Sequence, residues 1–202
     1  VKHDDPDAAL RDFEQLLAST GIERGLIGPR EADRLWERHI LNCAVVARDQ
    51  TMIPLDATVV DVGSGAGLPG LVWAIQRRDI HVTIVESLLR RTNFLNEAVV
   101  EFGLQDRVTV IRARAEDVSN VSADIATARA VAPLTRLLPW LRPLAKTPGA
   151  ILALKGAAAP AEIRDARKIA IALQVAPAEI ISVGEGVIDP PTTVVRYRCL
   201  RS

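Results

Sequence analysis

The chain has 202 residues, 25 of them basic and 25 acidic, and 49% of it is apolar, enough for one domain with a sizeable core and too apolar for a disordered chain. Zero net charge argues against a broadly polycationic protein, no apolar run approaches the ~18 residues of a membrane helix, and the two distant cysteines, Cys43 and Cys199, argue against a disulfide scaffold or zinc cluster. The opening V-K-H-D-D-P-D lacks a signal-peptide core, so a reduced, cytoplasmic protein with no membrane contact is the expectation.

In chain order, residues 7–20 carry Leu10, Phe13, Leu16 and Leu17 at helical spacing before Gly21. A second helical region spans 29–48, with Leu35, Trp36, His39, Ile40 and Val46 on its apolar face. Residues 1–50 thus read as a helical extension packed on a core of residues 51–202. From residue 58 strands and helices alternate. Strands are predicted at 58–62, 81–86, 107–111, 123–128 and 150–154, and helices at 68–77, 90–102, within 130–144 and at 161–173. The stretches 179–183 and 193–197 make a final antiparallel pair, with Asp189-Pro190-Pro191 in the loop between them. This alternation predicts an α/β, doubly wound sheet.

The run Val59 to Gly70, V-V-D-V-G-S-G-A-G-L-P-G, places a glycine turn directly after the first strand. Ligands in such sheets sit beyond the carboxyl ends of the strands. Gly63, Ser64 and Gly65 bring backbone close to a ligand. Asp61 suits a ligand amine, or else caps the glycine turn. Glu86 ends the second strand, where it can accept both hydroxyls of a ribose. Ala115 and Glu116 follow the third strand, where Glu116 either meets an adenine edge or caps a turn. The order G-x-G-x-G departs from the dinucleotide pattern G-x-G-x-x-G, and Asp61 would repel a pyrophosphate. S-adenosylmethionine is therefore favoured over a dinucleotide.

After the fourth strand the chain reads Ala128-Arg129-Ala130-Val131-Ala132-Pro133, without the Asn/Asp-Pro-Pro-aromatic pattern used on exocyclic base amines. Neither cysteine stands where a covalent carbon methylation would need it. A ring nitrogen with its own lone pair, such as guanine N7, needs only alignment with the methyl carbon. Arg129 is the candidate positioning residue, directed to phosphate, to guanine O6 or to the cofactor. No acid occurs between Asp124 and Glu162, while Arg129, Arg136, Arg142, Lys146 and Lys155 do, which predicts a face for an anionic partner. Arg90, Arg91, Arg129, Arg136 and Lys155 are the RNA-binding candidates. His39 is either a satisfied core histidine or part of a pocket wall, and no metal site is evident.

Arg38-His39-Ile40-Leu41-Asn42, the run from Asp61 to Gly70, Glu86-Ser87 with Arg90-Arg91 and Phe94-Leu95, Arg114-Ala115-Glu116, Arg129-Ala130 and Leu154-Lys155-Gly156 together closely resemble one family. It is that of the bacterial small-subunit ribosomal RNA guanine-N7 methyltransferases, also called glucose-inhibited division protein B. The resemblance implies a seven-stranded, Rossmann-like class I methyltransferase sheet, mostly parallel with an antiparallel C-terminal strand. It also implies S-adenosylmethionine as cofactor and N7 of a guanosine in the 530 loop of 16S rRNA as acceptor. The expected partner is 16S rRNA in the 30S subunit or its precursor, and the chain is expected to be a monomer, a state to which the sequence itself does not speak. Family cofactor contacts map onto Gly63, Leu68, Ala115, Glu116 and Arg129, and the acidic strand end onto Glu86. Arg90-Arg91 stands where many relatives have Lys-Arg. Loss of such an enzyme is expected to alter sensitivity to streptomycin-type antibiotics. The alternatives are methylation of another RNA or a small molecule, or a non-catalytic RNA-binding module.

Overall fold

The computed structural model describes residues 5–200; His3 and the first charged residues lie outside that range. Helix α1 (Pro6–Leu16) starts where the Asp5 side chain accepts the Asp7 N–H at 2.9 Å, with Pro6 in its first turn. It continues as a π-helical turn, Leu17–Gly21. The region predicted as one helix at 29–48 is three pieces: a 3-10 helix, Pro29–Arg34, a π-helical segment, Leu35–Leu41, and α2 (Asn42–Arg48).

The remaining elements are β1 (Thr58–Val62), α3 (Gly70–Gln76), β2 (His81–Glu86), α4 (Leu89–Glu101), β3 (Val108–Arg112), β4 (Ala123–Arg129), α5 (Leu134–Leu141), β5 (Ala145–Lys155), α6 (Ala159–Ala172), β6 (Glu179–Val183) and β7 (Thr192–Cys199). Helix α3 begins two residues later than predicted. Leu68 and Pro69 still belong to the glycine turn, where the Leu68 N–H donates to the Ser64 carbonyl at 2.9 Å. Strand β5 begins five residues earlier than predicted. Ala145 pairs with Ala123, and regular register resumes at Ala150 opposite Ile125. Between them lies Pro148, which has no N–H for the ladder.

The strands form a single sheet in the order β3-β2-β1-β4-β5-β7-β6. The five strands from β3 to β5 are mutually parallel, and β7 runs antiparallel to both neighbours, as the resemblance implied. Chain order reverses between β1 and β4, which opens a crevice at their carboxyl ends. One face buries Trp73 of α3 and Phe94 of α4, and the other buries Leu137 and Leu138 of α5 and Ala166 of α6.

The front helices share the first of these cores: Leu10, Phe13, Ile40 and Val46 pack in the same cluster as Trp73, Leu154 and Val194. Trp73 Nε1 donates to the Cys43 carbonyl at 2.9 Å, and Thr192 Oγ1 to the Asn42 carbonyl at 2.9 Å. Arg77 pins the segment after α2. Its guanidinium donates to the carbonyls of Ala47 (3.0 Å), Ile53 (3.1 Å) and Pro54 (3.0 Å) and pairs with Asp79 at 2.5 Å. Arg77→Ala removes a partner from all four groups and is expected to cost about 2–3 kcal/mol in urea unfolding. A loss below about 1 kcal/mol would mean that water replaces these bonds. Among the described residues no helix is long and apolar enough to cross a membrane.

Candidate functional site

Two cavities open at the carboxyl edge of the sheet, one on each side of the β1/β4 crevice. The first, about 250 Å³, is lined by Val62, Gly63, Val85 and Glu86 from β1 and β2, by Ala115 and Glu116 after β3, and by Arg136 and Trp140 of α5, with Val131 as a wall. The second, about 580 Å³, lies at the ends of β4 and β5 and is closed by the front helices. Arg38, His39, Asn42, Arg129, Lys155 and Glu162 line it, and Val131 again contributes.

The glycine turn is built against Val131. Gly63 has φ +72°, and a Cβ there would sit 2.8 Å from Val131 Cγ2. Its N–H donates to the Val85 carbonyl at 2.7 Å, which ties the turn to β2. Asp61 is fully buried beneath the turn. Its Oδ2 accepts the Ser64 hydroxyl at 2.5 Å and the Gly70 N–H at 2.8 Å, so the turn-capping role considered from sequence is real. Its Oδ1 is buried with no partner among the described residues. Burial pushes the carboxyl up to about 6.

Glu86 is buried at the end of β2. Oε2 accepts the Gly65 N–H at 3.1 Å and lies 3.5 Å from Arg91 Nη1, while Oε1 accepts the Leu88 N–H at 3.0 Å. Oε1, with one donor, retains a lone pair for a further one, whereas Oε2 already has two donors beside it. Glu86 and Gly63 line the first cavity, while Asp61, with its orphaned oxygen, lies beneath the turn and lines neither cavity; together they suit a ligand with a hydroxyl pair and an ammonium, the latter reached at Asp61 only if the turn opens. The residues present fit S-adenosylmethionine.

Arg129 ends β4 and turns toward the front helices. Nη1 donates to the carbonyls of Arg38 (3.4 Å) and His39 (3.5 Å) and approaches Cys43 Sγ at 3.5 Å, and Nη2 donates to His39 Nδ1. Because arginine only donates, Nδ1 is the acceptor, and Nε2–H donates to Glu31 at 2.9 Å. Burial, reinforced by the Arg129 charge, holds the imidazole below its ordinary pKa. His39 is therefore both satisfied and in a cavity wall. Burial also raises the Cys43 thiol, which disfavours a thiolate there.

Several expected positions change. Lys155 is no phosphate ligand awaiting a partner: only 8% exposed, it pairs with Glu162 at 2.8 Å and donates to the Ala132 carbonyl at 2.6 Å. The acid-free stretch does not make a continuous basic face. Lys146 pairs with Asp124 at 3.0 Å across the sheet, and Arg142 donates to the carbonyls of Leu173 and Ala145. Arg136 stays exposed at the rim of the first cavity, its guanidinium 5.4 Å from the Trp140 ring centroid. Arg90 lies within 3.4 Å of the Gly25 carbonyl. Leu68 belongs to the buried core behind the turn rather than to either cavity wall. Glu116 sits in a single 3-10 turn, Ala115–Asp117. Val131, Trp140 and Glu162 were not identified from sequence, and Asn42 entered only as the end of the stretch 38–42 that carries the resemblance. The i, i+4 spacing of Arg136 and Trp140 was the one available signal.

A family model described as rRNA small subunit methyltransferase G matches residues 7–189. A protein of that name from Thermobifida fusca (strain YX) is 55% identical over 185 residues, 91% of this chain and 76% of the relative. One from Mycolicibacterium gilvum (strain PYR-GCK) is 45% identical over 191 residues, 93% and 82% of the two chains. The S-adenosylmethionine-dependent methyltransferase SibL in its apo form superposes with a TM-score of 0.65 at 15% identity, covering 85% of this chain and 58% of that one. P. horikoshii TYW2 in complex with MeSAdo gives 0.62 at 18% identity, covering 81% and 63%. At such identities the structural likeness is one of fold, that of S-adenosylmethionine-dependent methyltransferases, whereas the sequence matches run nearly the length of the chain. The chain belongs to the rRNA small subunit methyltransferase G family.

Proposed function

We propose that this chain transfers a methyl group from S-adenosylmethionine to N7 of a guanosine in the 530 loop of 16S rRNA, acting as a monomer on the 30S subunit or its precursor. The observation that carries this reading is the pair of cavities meeting at Val131, at the carboxyl ends of β1 and β4. One is furnished for the cofactor and the other is open to an acceptor. When bound, the cofactor supplies an electrophilic methyl group on a sulfonium. Glu86 would accept the ribose hydroxyls, Asp61 would meet the ammonium, and the Gly63-Ser64-Gly65 backbone would border the methionine portion. Ala115 and Glu116 would meet the adenine edge, and Leu68 supports the turn from behind.

No proton has to leave guanine N7 before it reacts, so alignment is the main task. Arg129 is a positioning residue, held toward the front helices by the chain of bonds through His39 to Glu31. The exposed Arg38, Arg90 and Arg136, with the half-exposed Arg91, are left to meet RNA phosphates. The experiment is transfer from methyl-labelled cofactor to purified 30S subunits lacking the modification. Incorporation approaching one methyl per 16S rRNA is expected. Cofactor binding without label in 16S rRNA would overturn the reading.

A further inference from the structure

The second cavity contains a carboxylate whose two oxygens are used unequally. Glu162, in the first turn of α6, receives the Leu134 N–H at 2.9 Å and Lys155 Nζ at 2.8 Å, both on Oε2. Oε1 is bonded to no described residue, and the side chain is 23% exposed in the cavity wall. Lys155 and the Leu134 N–H therefore fix the carboxylate from behind and leave one edge presented. The Asn42 carboxamide, also in no side-chain bond among the described residues, lines the same cavity.

We infer that Glu162 reads the Watson–Crick edge of the acceptor guanine, its open Oε1 taking the N1–H and 2-amino hydrogens together. This rests on the function proposed above. Among the four bases guanine alone offers two adjacent N–H donors on that edge, and a carboxylate is an acceptor-only partner for both. Adenine would turn its N1 lone pair toward the same oxygen and be rejected. In the purine, N7 lies on the side away from N1 and the 2-amino group. A base anchored on α6 thus directs N7 toward the Val131 wall and the cofactor cavity beyond it.

The same contact favours the reaction. As the N7 lone pair forms the new N–C bond, the methyl C–S bond breaks and its electron pair passes to sulfur. The sulfonium becomes a neutral thioether, the purine becomes a cation, and no proton is released. Positive charge spread over the ring makes N1–H and the amino group stronger donors, so their bonds to Glu162 tighten in the transition state relative to the ground state. The site consequently selects guanine and stabilises its methylated form without a general base.

The test replaces the target guanosine by inosine, which keeps N7 and N1–H but lacks the 2-amino group, in otherwise identical 30S particles. The unaltered enzyme is expected to lose about tenfold or more in kcat/KM on the inosine particle. Glu162→Gln is expected to lose about a hundredfold on guanosine, mainly in kcat, and to discriminate guanosine from inosine by less than about threefold, with affinity for S-adenosylhomocysteine unchanged. Equal rates of the unaltered enzyme on both particles would overturn the inference, and this arm needs no variant to fold. Full guanosine preference in a folded Glu162→Gln enzyme would overturn it as well. A wild-type enzyme that leaves guanosine N7 unmethylated would instead defeat the function on which the inference rests.

Discussion

Gly63→Ala is expected to weaken S-adenosylhomocysteine binding by about a hundredfold, close to 3 kcal/mol, in isothermal titration calorimetry. Two effects add. The residue sits at φ +72°, where an L side chain costs roughly 1–2 kcal/mol. The new Cβ also lies 2.8 Å from Val131 Cγ2 and 3.2 Å from Cγ1, well inside contact distance. Relief requires either the turn or Val131 to move, and both line the first cavity. A second substitution separates the causes. Val131→Ala removes the two crowded methyl groups, so the double variant is expected to regain about tenfold, leaving the backbone strain. A single variant that binds within about threefold of wild type would show that this cavity does not hold the cofactor.

Asp61→Asn is expected to stabilise the ligand-free protein while abolishing tight cofactor binding. The carboxyl rises from 3.8 to about 6 in the fold, so keeping it ionised costs about 3 kcal/mol. A raised carboxylate pKa means that the group's stabilising contribution is complete below pH 3.8 and is lost as pH rises through about 6. The variant should therefore gain about 6–12 °C in Tm at pH 8, with the gain fading toward pH 4. If the cofactor ammonium meets the ionised group, wild-type affinity falls about tenfold per pH unit below about 6, because a proton must first leave. The asparagine variant should bind about a hundredfold more weakly at pH 8 and show no such slope. A wild-type affinity flat from pH 7 to 5 would assign Asp61 to turn capping alone.

The sheet was legible because strand and helix periods alternate cleanly from residue 58, and because Gly63 and Glu86 stand at strand ends where position follows from topology. The front helices were read as helical, but not as a π-helical segment. Hydrophobic spacing marks which side of Leu35, Trp36 and Ile40 is apolar, not how the backbone winds. Charge counting misled most at Lys155 and Lys146. Their partners, Glu162 and Asp124, flank the acid-free stretch in sequence, and only the fold brings them back across it. Arg129 was placed correctly at the end of β4, but its direction depends on His39, 90 residues away. Val131 carried no signal at all: its importance comes from a glycine 68 residues earlier that has no Cβ to exclude it.

The central claim is settled by the position of the methyl group. Labelled 30S subunits are treated with borohydride and aniline, which cleave RNA at N7-methylguanosine, and the ends are mapped by primer extension. A single cleavage within the 530 loop of 16S rRNA, dependent on the enzyme and on S-adenosylmethionine, is the predicted result. Label at a base or ribose atom that resists this cleavage, or at N7 outside that loop, would contradict the account.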